Sequence, residues 1–446
     1  MTTSFYFIPN SRDHAGDRPG FFHRVVLALL ALTGILGNAG CSDSDDPKSA
    51  LTQRADDSIA SAKVVPRPDL DGVFHVHEGE SIQDVLDAAA ADPVRKHVVI
   101  HAGTYRPAYA SQAMIKFHAK HDGILLEADG EVTLTAENRD VAVPGDSGYP
   151  AAVNHVIYFG DGVSSATRLK GVRITGANGF ATNAESDGPI EPHSHRAGLE
   201  KKLFFYMDGG AIKIFGESCP VIECVEVIGN RTQLCGGGIS IEQRGFNEKP
   251  VQIIDSRFLD NRCPATGSAV DVLEGSSAVI RNCLFVGNIS NFGMAEVQAR
   301  YGLRYNETHG CGALTVFPGS SADVSRCTFT QNWNGADDKG KSSYRDCIFW
   351  TNTASDGSLP GGSYELDIGE SVSVVNCRFH GTTDVVRGKV DPEGNSFQAA
   401  DPLFNSDFEP RNPEYDSAGY RTHDPERNPN SPATSNSPGL DDIPQE

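Results

Sequence analysis

The sequence predicts an all-β solenoid of stacked coils, on three observations. First, six segments align on one another: VIECVEVIGN (221–230), VQIIDSRFLDN (251–261), AVIRNCLFVGN (278–288), ADVSRCTFTQN (322–332), SSYRDCIFWTN (342–352) and SVSVVNCRFHGT (371–382). Second, these segments alternate apolar and polar residues with the period of a strand. Third, most are preceded by a second short strand that begins in small residues: GGAIKIF (209–215), GGGISIE (236–242), GSAVDVL (267–273), CGALTVF (311–317) and SYELDIG (363–369). One aligned position reads Val225, Ser256, Cys283, Cys327, Cys347, Cys377. Another reads Val227, Phe258, Phe285, Phe329, Phe349, Phe379. A third reads Asn230, Asn261, Asn288, Asn332, Asn352, then Thr382. The variable spacing, 31, 27, 44, 20 and 30 residues along that third position, is that of a constant coil with loops of free length.

The elements follow in order. Arg12, Arg18, His23 and Arg24 precede the apolar run Val25 to Leu36, which is shorter than the roughly 20 residues of a membrane span. GNAGC, ending at Cys41, and an acidic, serine-rich stretch come next. The pattern resembles a bacterial lipoprotein signal, and the resemblance implies export, cleavage before Cys41 and its lipidation. Asn38 stands three before the cysteine, where that family usually has Leu. Residues 1–41 are read as the signal, and 42–68, polar and without periodicity, as a disordered tether. Ser42 after the cysteine, rather than Asp, matches lipoproteins of the outer membrane. SIQDVLDAAAADP (81–93) reads as a capping helix, with Ser81 and Asp84 at its N-terminus and Ile82, Val85, Leu86 and Ala89 on one face. HVVIHAGTYRP (97–107), GILLEADGEVTLTA (123–136) and ATRLKGVRITGANG (166–179) are more degenerate coils.

Short strands, glycine turns and stacked identical residues resemble the right-handed parallel β-helix of the pectin-lyase-like superfamily, over about residues 69–405. Inward Phe then stacks on Phe and Cys on Cys, coil upon coil at about 4.8 Å. Asn accepts a left-handed turn conformation, and its amide can bond the next Asn up. The cysteine column, one per coil and without a CxxC, reads as structural; disulfides among Cys219, Cys224, Cys235, Cys263 and Cys311 are left open. Residues 406–446 read as a proline-rich cap and disordered tail, with Leu403, Phe404 and Phe408 covering the open end of the solenoid.

The chain carries 38 basic and 59 acidic residues, a net charge of −21, which excludes a nucleic-acid partner. Alternation places Lys213, Ser240, Asp271, Thr315 and Asp367 in one outward column, expected to be a solvated face, with Glu242 one step along. Lys213 and Asp271 would be two coils, about 10 Å, apart. Lys213, Arg244 and Asp271 are the candidate catalytic residues. Three insertions could carry function. In 177–207, His193 and His195 with Glu191 offer metal ligands. In 289–310, Arg300, Tyr301, Arg304 and Tyr305 could grip an acidic sugar. In 333–340, Trp333 beside Asp337 and Asp338 could form a sugar platform or a Ca²⁺ loop, though no Ca²⁺-loop motif is present, and no cofactor is otherwise implied.

Catalytic signatures of the superfamily are incomplete. Asp337–Asp338 stands in a loop, THG (308–310) lacks a leading Gly, IKI (212–214) lacks an Arg, and GTYRP (103–107) departs from the esterase start. The expectation is therefore an exported, lipid-anchored cell-envelope protein that engages polysaccharide or extracellular matrix without catalysis. The competing expectations are a polysaccharide lyase using Lys213 with Arg244 or Arg300, and a structural stalk or adhesin.

Overall fold

The computed structural model describes residues 65–179, 207–245, 247–291, 299, 312–353 and 362–422. The expected signal with Cys41, the expected tether as far as residue 64, and the segments carrying Glu191, His193, His195, Arg300, Tyr301, Arg304 and Tyr305 lie outside the described residues. Every described strand-to-strand ladder is parallel, and the strands form a 17-stranded and a 9-stranded sheet. The nine-stranded sheet, face 1, takes one strand per coil from Ser111–Phe117 to Val386–Arg387. The larger sheet bends into two faces. Face 2 includes Val221–Glu223, Val251–Ile254, Ser277–Arg281 and Ser321–Ser325, and face 3 includes Glu226–Ile228, Arg257–Leu259, Leu284–Val286 and Thr328–Thr330. The chain passes face 1, face 2, face 3 and returns one coil further on. Among the described residues no helix is long and apolar enough to cross a membrane.

The three aligned columns are real stacks. Val227, Phe258, Phe285, Phe329, Phe349 and Phe379 are partners in register. The phenyl rings lie parallel, with centroids 4.4–5.2 Å apart, and Phe397 continues the stack below Phe379 at 5.0 Å. Each buried ring contributes roughly 1.5–3 kcal/mol by burial and about 0.5–1.5 kcal/mol more by stacking. The cysteines form a second stack: Cys283 N–H donates to Cys327 Sγ at 3.4 Å, and the thiols donate to carbonyls of their own and neighbouring coils. None of the eight described cysteines is in a disulfide, all are buried, and burial pushes the thiols of Cys327, Cys347 and Cys377 up, away from the reactive thiolate.

The asparagine column is a hydrogen-bond ladder. Nδ2 of Asn230, Asn261, Asn288 and Asn332 donates to Oδ1 of the next Asn at 2.8–3.2 Å, and the backbone N–H of each donates to the same oxygen. Two expectations are corrected here. The left-handed conformation falls one residue earlier, at Gly229, Asp260, Gly287, Gln331 and Thr351, so the Asn itself is free to point inward along the ladder. The ladder also does not pass to Thr382: the Asn352 side chain donates to Glu365, a buried carboxyl in the following coil. A second left-handed column, Cys224, Asp255, Asn282, Arg326, Asp346 and Asn376, makes the bend between faces 2 and 3.

The N-terminal cap is as expected. Helix α1, Ile82–Ala91, starts at Ser81, whose hydroxyl accepts from Asp84 N–H at 3.2 Å, and it buries Ile82, Val85, Leu86 and Ala89 against the first coils. The C-terminal expectation fails. Leu403, Phe404 and Phe408 do not cover the open end. Residues up to 422 run back along the outside of face 3: Phe408 and Tyr420 pack on Leu259, Leu284 and Val286, while Phe404, Tyr415 and Ala418 pack on Ile348 and Trp350. Leu403 is exposed. The strap is bonded coil by coil, through Gly419 N to Asp346 O, Tyr420 N to Thr328 Oγ1, and Arg421 N to Asn282 Oδ1. It is drawn there by the apolar outward positions of face 3 that it covers, Leu259, Leu284, Val286, Ile348 and Trp350.

Candidate functional site

The outer side of face 1 carries one column in strict register. It reads Lys116, Tyr158, Lys213, Ser240, Asp271, Thr315, Asp337, Asp367, Arg387. The sequence-derived members Lys213, Ser240, Asp271, Thr315 and Asp367 all fall in it. Asp337 belongs to it as well, because Ala336–Asp338 is a strand of face 1 rather than a loop. Its neighbour Asp338 turns to the other side, where its carboxyl accepts from Gly340 N, Ser342 Oγ and Tyr344 OH. The pair therefore divides between two faces and does not form one Ca²⁺ loop. Trp333 is half-buried at the turn leading into that strand, its N–H donating to Asn288 O at 3.0 Å.

The column is not a solvated face. Lys213, Ser240, Asp271 and Thr315 are all 0–1 % exposed. Lys213 Nζ lies 2.7 Å from Glu242 Oε2 and donates to Ser240 Oγ at 3.1 Å. Glu242 also accepts from Arg244, so one carboxylate stands between two cations. Burial raises the Glu242 carboxyl, but Lys213 and Arg244 outweigh it and hold the group below its usual range. Arg244 adopts a left-handed backbone and remains partly exposed beside the following Gly245.

Two further carboxyls close the cluster. Asp208 accepts from Cys235 N–H at 2.9 Å, and its other oxygen has no hydrogen-bond partner among the described residues. Asp271 accepts from Thr266 Oγ1 at 3.1 Å. Burial pushes Asp208 up to about 8, against the attraction of Lys213, and pushes Asp271 well above the usual carboxylate range, with Asp208 adding to it. Burial thus favours the protonated form of both carboxyls, and Asp208 feels the Glu242 carboxylate, which raises it further. Glycines permit this crowding. Gly209, Gly236 and Gly267 precede the three strands with φ between +61° and +77°, and a Cβ on Gly267 would lie 2.7 Å from Asp271 Oδ1.

Further along, the column opens. Lys339 pairs with Asp367 and lies 3.7 Å from Asp337, Arg387 lies 3.8 Å from Asp367, and the Arg387 guanidinium covers the Tyr364 ring at 4.6 Å. On face 2 a shallow, serine-rich groove of about 480 Å³ runs over Ser277, Ser321, Asp323, Lys341 and Ser343. Asp208, Lys339 and Tyr364 were not singled out from the sequence. Lys339 follows the Asp pair at a two-residue step and could have been found by alternation. Asp208 lies before its strand, where alternation is silent.

A family model described as "Right handed beta helix region" matches residues 237–397. The fold is a right-handed parallel β-helix. No curated protein matches the chain, and no solved structure matches it. The β-helix supplies the register column as a consequence of stacking, and its chemistry is this chain's own.

Proposed function

We propose that this β-helix is an exported, lipid-anchored protein of the bacterial cell envelope that engages a polysaccharide along the outer side of face 1. The observation that carries this reading is the single register column of cations, carboxyls and hydroxyls across nine strands. At its accessible end Arg387, held over the buried Tyr364 ring, Lys339 and Asp367 present the donors and the acceptors that a hydroxyl-rich polymer needs. Export and the anchor on Cys41 rest on the leader's resemblance to lipoprotein signals. A glycan array with the purified chain tests the reading. Binding should weaken at least tenfold in Arg387→Ala and Lys339→Ala, and an array without any ligand would remove it.

One feature favours a second, catalytic reading: burial raises the Asp208 and Asp271 carboxyls above the usual carboxylate range in the cluster that holds the ion-paired Glu242 carboxylate. A proton-bearing acid next to an ionised carboxylate is the pairing that glycosidic cleavage uses. Elimination through Lys213 is less well supported, because Nζ is committed to Glu242 and Ser240. A reducing-end assay run beside an ultraviolet assay for unsaturated uronate separates the two chemistries. Hydrolysis predicts new reducing ends without ultraviolet absorbance, lost at least a hundredfold in Asp271→Asn. Silence in both assays with binding retained leaves engagement alone.

A further inference from the structure

Three histidines meet on the outer side of face 2 in the first two coils, on a different sheet from the face 1 column. His75 and His77 lie on the strand Val73–Val76 or just beyond it, and His101 on His97–Tyr105. His75 Nδ1 faces His101 Nε2 at 3.0 Å. The far nitrogen of each ring meets a carboxylate: His75 Nε2 is 3.0 Å from Asp69 Oδ2, and His101 Nδ1 is 3.1 Å from Asp129 Oδ2. Asp69 is fixed in place, since its other oxygen accepts the N–H groups of Asp71 and Val73. His77 lies flat on His101, with centroids 4.4 Å apart and planes 7° from parallel.

The tautomers decide what this arrangement wants. A carboxylate can only accept, so each neutral imidazole places its N–H on the carboxylate side. The two facing nitrogens then both present lone pairs, 3.0 Å apart, which repel unless a cation lies between them. The two rings lie nearly parallel, 15° apart with centroids at 5.1 Å, so the facing nitrogens meet almost head-on. Two imidazole nitrogens bound to one tetrahedral ion at about 2.0–2.1 Å stand about 3.3 Å apart, so binding parts the rings by a few tenths of an ångström and tilts both until their lone pairs meet at the ion. A histidine backed by a carboxylate on its other nitrogen is the arrangement that orients metal ligands and raises their basicity. Glu78 and Glu80 add negative charge nearby, bonding Thr104 N and His77 N. His75 and His101 are about one-third exposed, which leaves a way in.

We propose that His75 and His101 bind a divalent transition-metal ion of the Zn²⁺, Ni²⁺ or Cu²⁺ class, with His77 as third ligand after its ring turns off the stack and water completing the shell. Asp69 and Asp129 are positioning residues that hold the two ligating tautomers. The site is independent of the polysaccharide reading and stands if that reading fails.

Titration calorimetry of the full chain with Zn²⁺ alone tests the site, together with the absorbance of Co²⁺ as a report of ligand geometry. To remove the separate His-x-His segment, the same titrations are run in the His193→Gln/His195→Gln background. One equivalent of Zn²⁺ should bind in that background. His75→Gln or His101→Gln should weaken it at least a hundredfold, and His77→Ala about tenfold. Asp129→Asn should weaken it between 10- and 100-fold and leave the tetrahedral Co²⁺ band in place. Circular dichroism confirms that each variant is folded, and Asp69→Asn replaces any that is not. Absence of binding by the folded parent, or affinity unchanged in folded His75→Gln and His101→Gln, overturns the proposal and leaves a shared proton between the two rings.

Discussion

The interior ladders and the outer column of face 1 are both stacks of one residue per coil, yet they differ in kind. Inside, Phe lies on Phe, Cys on Cys and Asn on Asn, and every Asn amide finds its neighbour. Outside, Lys213, Ser240, Asp271, Thr315 and Asp337 each follow an unlike residue, and only Asp337 on Asp367 stacks like on like, although the register is equally strict. A ladder of like residues satisfies itself by translation. A column of unlike residues must be satisfied pairwise, and here it is only partly so, with the buried Thr315 hydroxyl lacking a hydrogen-bond partner among the described residues. Identity along a column marks what holds the coils together. Its breakdown marks where the chain has been free to build chemistry.

The largest effect that would break this contrast is at Lys213. Replacing it by Met leaves Glu242 buried with Arg244 alone, and the variant should lose about 3–5 kcal/mol in denaturant unfolding. The double variant Lys213→Met/Glu242→Gln should recover much of that. Equal losses in single and double variants would mean the pair is not coupled. Next is the ladder: Asn288→Ala removes donors to Phe258 O, Val286 O and Asn332, and orphans Asn261, for a loss of about 2–4 kcal/mol. A loss below 1 kcal/mol would show that the ladder follows the coils rather than holding them.

The pH dependence sharpens the comparison further. Burial raises Asp338 to about 6 and Glu365 to about 8, so the folded chain holds these protons more tightly than the unfolded one. The stability they favour is complete below the usual carboxylate range and is lost as pH rises through about 6 and then about 8. Unfolding free energy measured between pH 5 and 9 should fall, and Glu365→Gln should flatten the upper part of the curve. Glu242 acts in the opposite sense, since its ion pairs are lost as pH falls below the carboxylate range. The smallest effect is at the cap: Ser81→Ala should cost about 1 kcal/mol, because one hydroxyl bond to Asp84 N–H is removed and the helix remains packed.

Much of the fold was legible because a solenoid writes its contacts as sequence periodicity. The Phe, Cys and Asn columns, helix α1 with its Ser81 cap, and five members of the face 1 column could be read from alternation and spacing alone. Asp337 was read as a loop residue and not as a member of the column, because a turn-like run, Trp333 to Gly335, masked a three-residue strand. The end of the Asn ladder at Glu365 was missed because a carboxyl from the following strand does in space what Thr382 was expected to do by alignment. The strap of residues up to 422 could not be read, since its partners, Asn282, Thr328 and Asp346, lie tens of residues away and no repeat links them to it.

The sequence by itself determined the coils, their stacking order and which side chains point in or out, because each strand pairs with its equivalent one coil away. Only the tertiary structure decided how those side chains are charged and joined. That the outward column is buried from Lys213 to Asp337, that Glu242 joins Lys213 to Arg244, that burial raises the Asp208 and Asp271 carboxyls, and that His75 faces His101 at 3.0 Å all depend on distance and burial. Those quantities arise between coils, and alternation, which reports only direction, does not contain them.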